Sequence, residues 1–197
     1  MTMWQLNPTS GQCTTEIIGT GTMVRDYTCM TFSKNAEEFL YAGTASGDLC
    51  VFQVKNKILV YSQNVCAMGI RTVQAVSADK VCIGGGDGQI VLFSTNGKDT
   101  QATLKTQLYG AIHGLSSSAD GLQLMTATDR GFIYRLRVND FSQMLLCENH
   151  TGPVLSVWFQ PGVSDKFITT SEDGTIRLWD SNNYSVTSRC IAQSSAT

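Results

Sequence analysis

A segment centred on a glycine turn recurs four times along the 197-residue chain, and this recurrence constrains the fold more than any other feature. The clearest copy is "SEDGTIRLWD", in which a turn lies between two runs of strand-forming residues. The other copies are "ATDRGFIYRLRV", "GGGDGQIVLFST" and "TASGDLCVFQV". Successive copies are 43, 43 and 41 residues apart, as measured between the turn glycines Gly174, Gly131, Gly88 and Gly47. A regular period of this length predicts an array of similar structural units.

Each copy follows the same internal plan, which predicts four short strands per unit. An apolar run and a turn come first, followed by a second strand, the glycine turn, a third strand and a polar stretch with a fourth strand. The runs are rich in Val, Ile, Phe and Thr and are bounded by Gly, Asp, Asn and Ser, which favours strands over helices. Four antiparallel strands about every 43 residues are typical of the blades of a β-propeller. We therefore predict an all-β propeller.

The last copy resembles the WD40 family in four polar or aromatic residues. His150 precedes the first strand, and Thr169 lies in the second strand. Asp173 lies at the glycine turn, and Trp179 lies in the third strand. The resemblance implies a hydrogen-bonded tetrad, in which the carboxylate, imidazole, hydroxyl and indole groups bond in series. We expect this structural tetrad to hold the last blade together.

The other copies depart from this pattern. None of them has a histidine at the position equivalent to His150. The positions equivalent to Trp179 carry Leu136, Phe93 and Phe52. The positions equivalent to Asp173 carry Arg130, Asp87 and Ser46. We expect these three blades to be held by apolar packing alone.

The repeat divides the chain into predicted segments. Residues 1–6, with Trp4, are assigned to the last strands of a preceding blade, and blades follow at 7–57, 58–98, 99–141 and 142–190. Residues 191–197 form a polar tail. WD40 propellers usually close with about seven blades. We therefore expect an incomplete arc of a larger propeller, in a chain that is part of a longer protein.

Candidate catalytic, cofactor and metal sites have little support. "CIGGGDGQI" lacks the spacing of a phosphate-binding loop and matches a hairpin turn instead. His113 lies in a predicted first strand, and the Cys and His residues are not spaced as zinc ligands. We predict no catalytic, cofactor-binding or metal-binding residues. An acid–base pair among the turn carboxylates Asp129, Glu172 and Asp173 stays open, although such groups are usually solvated or bonded to backbone N–H groups.

The net charge and the cysteine content indicate the cellular compartment and the classes of partner that are not expected to bind. The net charge of −2 provides no basic field for nucleic acid or an anionic membrane. Without a C-x-x-C pair, the seven cysteines are interpreted as small thiols in a reducing, cytoplasmic compartment: Cys13, Cys29, Cys50, Cys66, Cys82, Cys147 and Cys190. The sequons at Asn149 and Asn183 are then expected to be unused.

The densest positive cluster contains Arg130, Arg135 and Arg137. It could contact a carboxylate-rich partner through bidentate hydrogen bonds. Alternatively, the cluster could form ion pairs between blades with Asp129 or Asp140. The sequence leaves both interpretations open.

A narrower resemblance extends over most of the chain, from about Trp4 to Trp179. "MWQLNPTSGQ", "FLYAGTASGDL" and above all "IYRLRVNDFSQ" are similar to the cilia- and flagella-associated protein 52 family. The resemblance implies a non-catalytic structural protein inside the doublet microtubules of motile cilia and flagella, where tubulin and neighbouring inner proteins are its partners. It implies no small-molecule substrate. The alternatives are a WD40 scaffold of another cytosolic complex, such as a ubiquitin-ligase substrate receptor or a transport coat, and a propeller enzyme.

Overall fold

The computed structural model describes residues 2–6, 9–10, 12–20, 23–34, 38–146 and 150–192. These residues form eighteen β-strands. In chain order the strands are Thr2–Leu6 (β1), Cys13–Ile17 (β2), Tyr27–Phe32 (β3), Phe39–Thr44 (β4), Asp48–Gln53 (β5), Ile58–Asn64 (β6), Ile70–Ala75 (β7), Lys80–Gly85 (β8), Gln89–Thr95 (β9), Thr100–Gln107 (β10), Ile112–Ser117 (β11), Gln123–Thr128 (β12), Ile133–Arg137 (β13), Gln143–Leu145 (β14), Val154–Phe159 (β15), Lys166–Ser171 (β16), Thr175–Asp180 (β17) and Ser185–Ile191 (β18). None of the described residues belongs to a helix that is long and apolar enough to cross a membrane.

Sixteen of the strands form four antiparallel sheets, each built from four consecutive strands. The first sheet contains β3–β6, the second β7–β10, the third β11–β14 and the fourth β15–β18. β1 and β2 pair with each other in a separate two-stranded sheet. The predicted all-β architecture with about four blades is confirmed.

Glycine at the turn between the second and third strands explains the sequence repeat. Gly47, Gly88, Gly131 and Gly174 have φ angles of 91°, 83°, 83° and 75°. Glycine adopts this left-handed conformation at low cost because it lacks a Cβ atom. Each of these glycines donates its N–H to the carbonyl three residues earlier. The same turn in every sheet therefore needs a glycine, and this is why the glycine recurs in the sequence.

The core lies between neighbouring sheets rather than within one sheet. The first strand of each sheet contacts the first strand of the next, so these strands form the inner edge of an arc. One face of each sheet packs against the opposite face of the next. Tyr41 and Val51 of the first sheet pack in this way, as do Cys82 and Leu92 of the second and Met125 of the third.

The arc is open, and the outward face of the fourth sheet is uncovered in the described part of the chain. Tyr41, Cys82 and Met125 are at most 2% exposed because the next sheet covers them. Their equivalent in the fourth sheet is Ile168, which is 39% exposed, and its cross-strand neighbour Trp158 is 56% exposed. The expected incomplete arc agrees with this arrangement.

At the other end of the arc, the segment after β2 packs on the first sheet. Ile18 is buried against Leu40 and Phe52, among other residues of that sheet. The Gly19 N–H donates to the Lys57 carbonyl at 2.9 Å, and the Gly19 carbonyl accepts from the Leu59 N–H at 3.1 Å. These contacts attach the β1–β2 hairpin to the arc.

The sheets are offset by one strand from the predicted segments. β6, at Ile58–Asn64, pairs with β5 and so completes the first sheet, whereas the segment 58–98 grouped it with the strands that follow. β10 and β14 likewise belong to the second and third sheets rather than to segments 99–141 and 142–190. A short antiparallel turn favours pairing with the preceding strand. That residues 1–6 belong to a preceding blade stays a prediction, and residues 193–197 of the predicted tail lie outside the described residues.

Candidate functional site

Four predicted residues of the last repeat come together in one hydrogen-bonded series in the fourth sheet. His150 Nδ1 lies 2.9 Å from Asp173 Oδ2, and His150 Nε2 lies 2.7 Å from Thr169 Oγ1. The Trp179 indole N–H donates to Thr169 Oγ1 at 2.9 Å. Since the carboxylate only accepts, the imidazole donates from Nδ1. Burial lowers the pKa of His150, so near neutral pH the imidazole has no second proton and Nε2 accepts the Thr169 hydroxyl proton. The series therefore contains a neutral imidazole.

The network extends beyond the four residues. Asp173 also accepts from the backbone N–H groups of Thr151 and Thr175, at 3.1 Å and 2.9 Å, and from the Thr175 hydroxyl at 2.6 Å. Arg177 Nη2 lies 3.7 Å from Asp173 Oδ2, and the Arg177 side chain is 9% exposed. The sequence analysis did not single out Arg177 or Thr175. Thr175 follows Asp173 by two residues and Arg177 follows it by four. This closeness to the turn is the signal by which the sequence could have identified them.

The pKa values of His150 and Asp173 are both lowered, although burial and hydrogen bonding act in opposite directions on each group. Burial lowers the pKa of His150 below its ordinary value of 6.5, and the hydrogen bond to Asp173 offsets this only in part. Burial raises the pKa of Asp173, but hydrogen bonds from Thr175, His150 and Thr151 outweigh it, so the pKa lies well below the ordinary range. Both groups therefore keep a fixed charge state in the folded chain near neutral pH.

Acid is expected to destabilise the fold in two steps. Since the folded pKa of His150 lies below 6.5, the unfolded chain binds a proton first, and stability falls as the pH drops below 6.5. Since the folded pKa of Asp173 lies below 3.8, a second loss follows as the pH falls through that folded value. Urea unfolding at several pH values measures both slopes, and H150Q should remove the first. An equal slope near pH 6 in wild type and H150Q would contradict this assignment.

A different pair occupies the same place in the second sheet. Cys66 precedes β7 by four residues, just as His150 precedes β15. The Cys66 thiol donates to Asp87 Oδ1 at 3.2 Å, and the Gln89 N–H donates to the same oxygen at 3.0 Å. Burial raises the pKa of the Cys66 thiol, with a further contribution from Asp87, so the donor proton is retained. The expectation that apolar packing alone holds this blade is therefore wrong for the second sheet.

Replacing Cys66 tests this thiol–carboxylate pair. C66A is expected to lower the free energy of unfolding by about 1.5 kcal/mol, because it removes a buried donor and part of the packing around a side chain that is 2% exposed. C66S keeps a donor and should cost less than C66A. Urea unfolding of both variants measures the difference, and a C66S variant less stable than C66A would contradict the role of the hydrogen bond.

The three arginines of the predicted cluster lie in different surroundings. Arg135 Nη1 donates to the Tyr184 hydroxyl at 2.8 Å, which links the third sheet to the fourth. The Arg130 side chain is 63% exposed at the turn before β13, with its Nε 4.0 Å from Asp129 Oδ1. Arg137 is exposed at the opposite end of β13. Of the three, Arg130 and Arg137 can reach a partner from the surface.

Other singled-out residues have local roles or lie outside the described residues. Asp129 accepts from the Ala111 N–H at 2.9 Å, Asp173 belongs to the buried network, and Glu172 is exposed. His113 is partly buried in β11. The cysteines found free are Cys13, Cys29, Cys50, Cys66, Cys82 and Cys190. Cys147 and Asn149 lie outside the described residues. Among the residues that the structure describes, no cluster of metal-ligating side chains occurs.

Residues 141–180 match the family described as WD domain, G-beta repeat (WD40). This range contains His150, Thr169, Asp173 and Trp179. The chain therefore carries a WD40 repeat at the position of the hydrogen-bonded network. A chain in the crystal structure of the mitotic checkpoint complex superposes with a TM-score of 0.81 at 15% identity, covering 98% of this chain and 59% of that one. That likeness shows the propeller fold.

Among curated proteins, the chain is similar to cilia- and flagella-associated protein 52. It is 25% identical to the Homo sapiens protein over 150 residues, which cover 75% of this chain and 24% of that protein. It is 24% identical to the Sus scrofa protein over 180 residues, which cover 90% of this chain and 28% of that protein. WD repeat-containing protein 90 of Mus musculus is 28% identical over 106 residues, covering 54% of this chain and 6% of that protein. The chain thus spans 24% to 28% of the length of the first two relatives.

Proposed function

We propose that this chain is part of a non-catalytic scaffold protein of motile cilia and flagella. In this role it lies in the axoneme as a microtubule inner protein and binds tubulin and neighbouring inner proteins within the doublet microtubule. The observation that carries the proposal is the extent of the similarity to cilia- and flagella-associated protein 52. It covers 75% to 90% of the chain, whereas the WD40 match covers residues 141–180 alone.

The buried network supports a structural role for its residues. Both ring nitrogens of His150 have partners, and the side chains of His150 and Asp173 are 0% and 5% exposed. A general base must reach the proton that it removes from a substrate, which a group enclosed in this way does not do. The carboxylates Asp87 and Asp129 likewise bond to backbone N–H groups of the loops around them. These contacts stabilise rigid sheets whose loops are free to bind partners.

Localisation of the tagged full-length protein in a flagellated cell tests the proposal. We expect the protein to stay with isolated axonemes after detergent and high-salt washes, because a protein inside the doublet is shielded from extraction. A soluble WD40 scaffold tagged in the same way is the control and should wash out. Absence from axonemes would overturn the ciliary assignment.

Affinity purification then separates the ciliary role from a general scaffold role. Co-purification of tubulin and axonemal proteins in near-stoichiometric amounts supports the proposal. Recovery of ubiquitin-ligase or transport-coat subunits in their place would overturn it.

A further inference from the structure

The turn between the third and fourth strands contains one residue with a left-handed backbone in each of the four-stranded sheets. These residues are Lys57, Gly97, Phe141 and Tyr184, with φ angles of 54°, 95°, 53° and 59°. Among the residues that the structure describes, Lys57, Phe141 and Tyr184 are the non-glycine residues with a positive φ. The conformation suits glycine but is strained for a bulky side chain, because the Cβ atom lies too close to a carbonyl oxygen. Such strain persists where other contacts offset it.

The Tyr184 side chain crosses from the turn of the fourth sheet to the third sheet. Its hydroxyl accepts a hydrogen bond from Arg135 Nη1 at 2.8 Å and donates to Gln123 Oε1 at 3.3 Å. The Arg135 guanidinium carbon also lies 5.2 Å from the centroid of the Tyr184 ring. Gln123 and Arg135 belong to β12 and β13, so all three contacts attach the turn to the preceding sheet.

Phe141 occupies the same position in the third sheet and also packs toward the preceding sheet. It is 6% exposed and belongs to the core cluster that contains Cys82 and Leu92 of the second sheet. In both turns the backbone N–H of the left-handed residue donates to the carbonyl four residues earlier, at 2.9 Å for Phe141 and 2.8 Å for Tyr184. The same turn geometry therefore directs an aromatic ring into the junction with the sheet before it.

The second sheet has Gly97 at this position, and the preceding sheet supplies the ring instead. A Cβ atom at Gly97 would lie 2.1 Å from Cε1 of the Phe39 ring. Phe39 begins β4, the second strand of the first sheet, and Gln123 begins β12, the second strand of the third sheet. Phe39 therefore corresponds in position to Gln123, the residue that Tyr184 contacts. Each of the three junctions between the four-stranded sheets thus contains an aromatic ring at this place.

We propose that these rings are straps that hold each sheet against the preceding one, with Phe39, Phe141 and Tyr184 as the strap residues. The straps lie at the turns that lead into the outer, fourth strands, whereas the first strands contact one another at the inner edge of the arc. Contacts at both places fix the angle between neighbouring sheets, because inner contacts alone would leave the outer strands free to separate. This inference goes beyond the proposed function, since it applies to the arc wherever the protein lies in the cell.

Lys57 shows the same turn without an aromatic ring. Its Nζ lies 2.6 Å from Glu16 Oε2 in β2, but the two side chains are 36% and 39% exposed. An ion pair as exposed as this one contributes little to stability. The φ angle of Lys57 is close to those of Phe141 and Tyr184, so its backbone is strained in the same way. Lys57 therefore provides a control in which the strain is present and the strap is absent.

Glycine at the strap positions tests the proposal, because it removes the ring and relieves the backbone strain at once. We expect F141G to lower the melting temperature of the 197-residue chain by about 8 °C, and Y184G to lower it by about 3 °C. K57G should leave the melting temperature unchanged or raise it by up to about 2 °C, since this variant loses mainly strain. Y184A keeps a Cβ atom in the left-handed turn and should melt below Y184G. Thermal unfolding followed by circular dichroism measures all four variants.

Moving a strap to the other side of its junction tests the geometry. F39Q removes the ring between the first and second sheets, and G97Y alone places a Cβ atom against the Phe39 ring, so each variant should melt below the wild type. The double variant F39Q/G97Y recreates the pairing of Gln123 with Tyr184. It should therefore melt at a higher temperature than either single variant, because the two substitutions are coupled.

Three outcomes would overturn the proposal. Melting of F141G and Y184G at or above the wild-type temperature would show that these residues only close the turn. A fall in K57G as large as that in F141G would show that the loss of any side chain at this turn destabilises the arc. A double variant F39Q/G97Y that melts no higher than the more stable single variant would exclude an exchange of rings across the junction. Y184G decides the first outcome by itself if F141G does not fold, because Tyr184 is only partly buried.

Discussion

Replacing Trp179 by alanine is expected to lower the free energy of unfolding by about 4 kcal/mol. Trp179 is fully buried, and its ring stacks on Phe167 with centroids 5.5 Å apart and planes 7° apart. The substitution opens a large cavity between the third and fourth sheets and removes the indole N–H that Thr169 accepts. Urea unfolding followed by circular dichroism measures the loss.

A second tryptophan in the same sheet provides a matched control. Trp158 lies on the outward face of the fourth sheet and is 56% exposed. W158A should therefore cost less than about 1 kcal/mol, since few neighbours lose contact with it. A loss in W158A equal to that in W179A would contradict the assignment of the core to the inter-sheet face.

Replacing Asp173 by alanine is expected to cost about 3 kcal/mol, although the side chain removed is small. The backbone N–H groups of Thr151 and Thr175 lose their acceptor, and His150 loses the partner that fixes its tautomer. Arg177 loses the carboxylate 3.7 Å away while its side chain stays 9% exposed. The cost therefore comes mainly from the buried His150 imidazole and the Thr175 N–H, which lose the carboxylate that accepts from them. Urea unfolding at neutral pH measures it.

The adjacent Glu172 is the control for this prediction. It is exposed on the same turn, and E172A should change the free energy of unfolding by less than about 0.5 kcal/mol. D173A should also abolish the stability loss that is expected at the most acidic pH values. If D173A proves as mild as E172A, the network is not a main source of stability in the fourth sheet.

The sequence predicts the repeat and the architecture because both depend on local rules. A turn with a left-handed backbone conformation favours glycine, so every copy has a glycine at this position: Gly47, Gly88, Gly131 and Gly174. The residues of the last network are also accessible to sequence reasoning, since His150 and Trp179 occupy recognisable places around that turn. How the strands group into sheets is less accessible, because a fourth strand such as β6 can be assigned to either neighbouring unit until its partner is known.

Contacts between distant side chains could not be predicted. Cys66 takes the place of histidine in the second sheet, but a thiol hydrogen-bonded to Asp87 has no sequence pattern of its own. Arg135 resembles its neighbours in the sequence, yet its guanidinium bonds to Tyr184, 49 residues away. The Arg130 side chain, in contrast, lies at the turn before β13 and is exposed to solvent beside Tyr109. These roles depend on how the sheets pack, which one strand does not encode.

The open face of the fourth sheet has a consequence for the order in which the arc unfolds. When each unit touches only its neighbours, a terminal unit normally opens first, because packing supports it on one side only. In this chain the fourth sheet also contains the network around Asp173, whose hydrogen bonds hold its turn, its loop and its third strand together. Backbone amides of β16 and β17 should then exchange with solvent as slowly as those of the central sheets. Within the fourth sheet, faster exchange would then be confined to the outer strand β18.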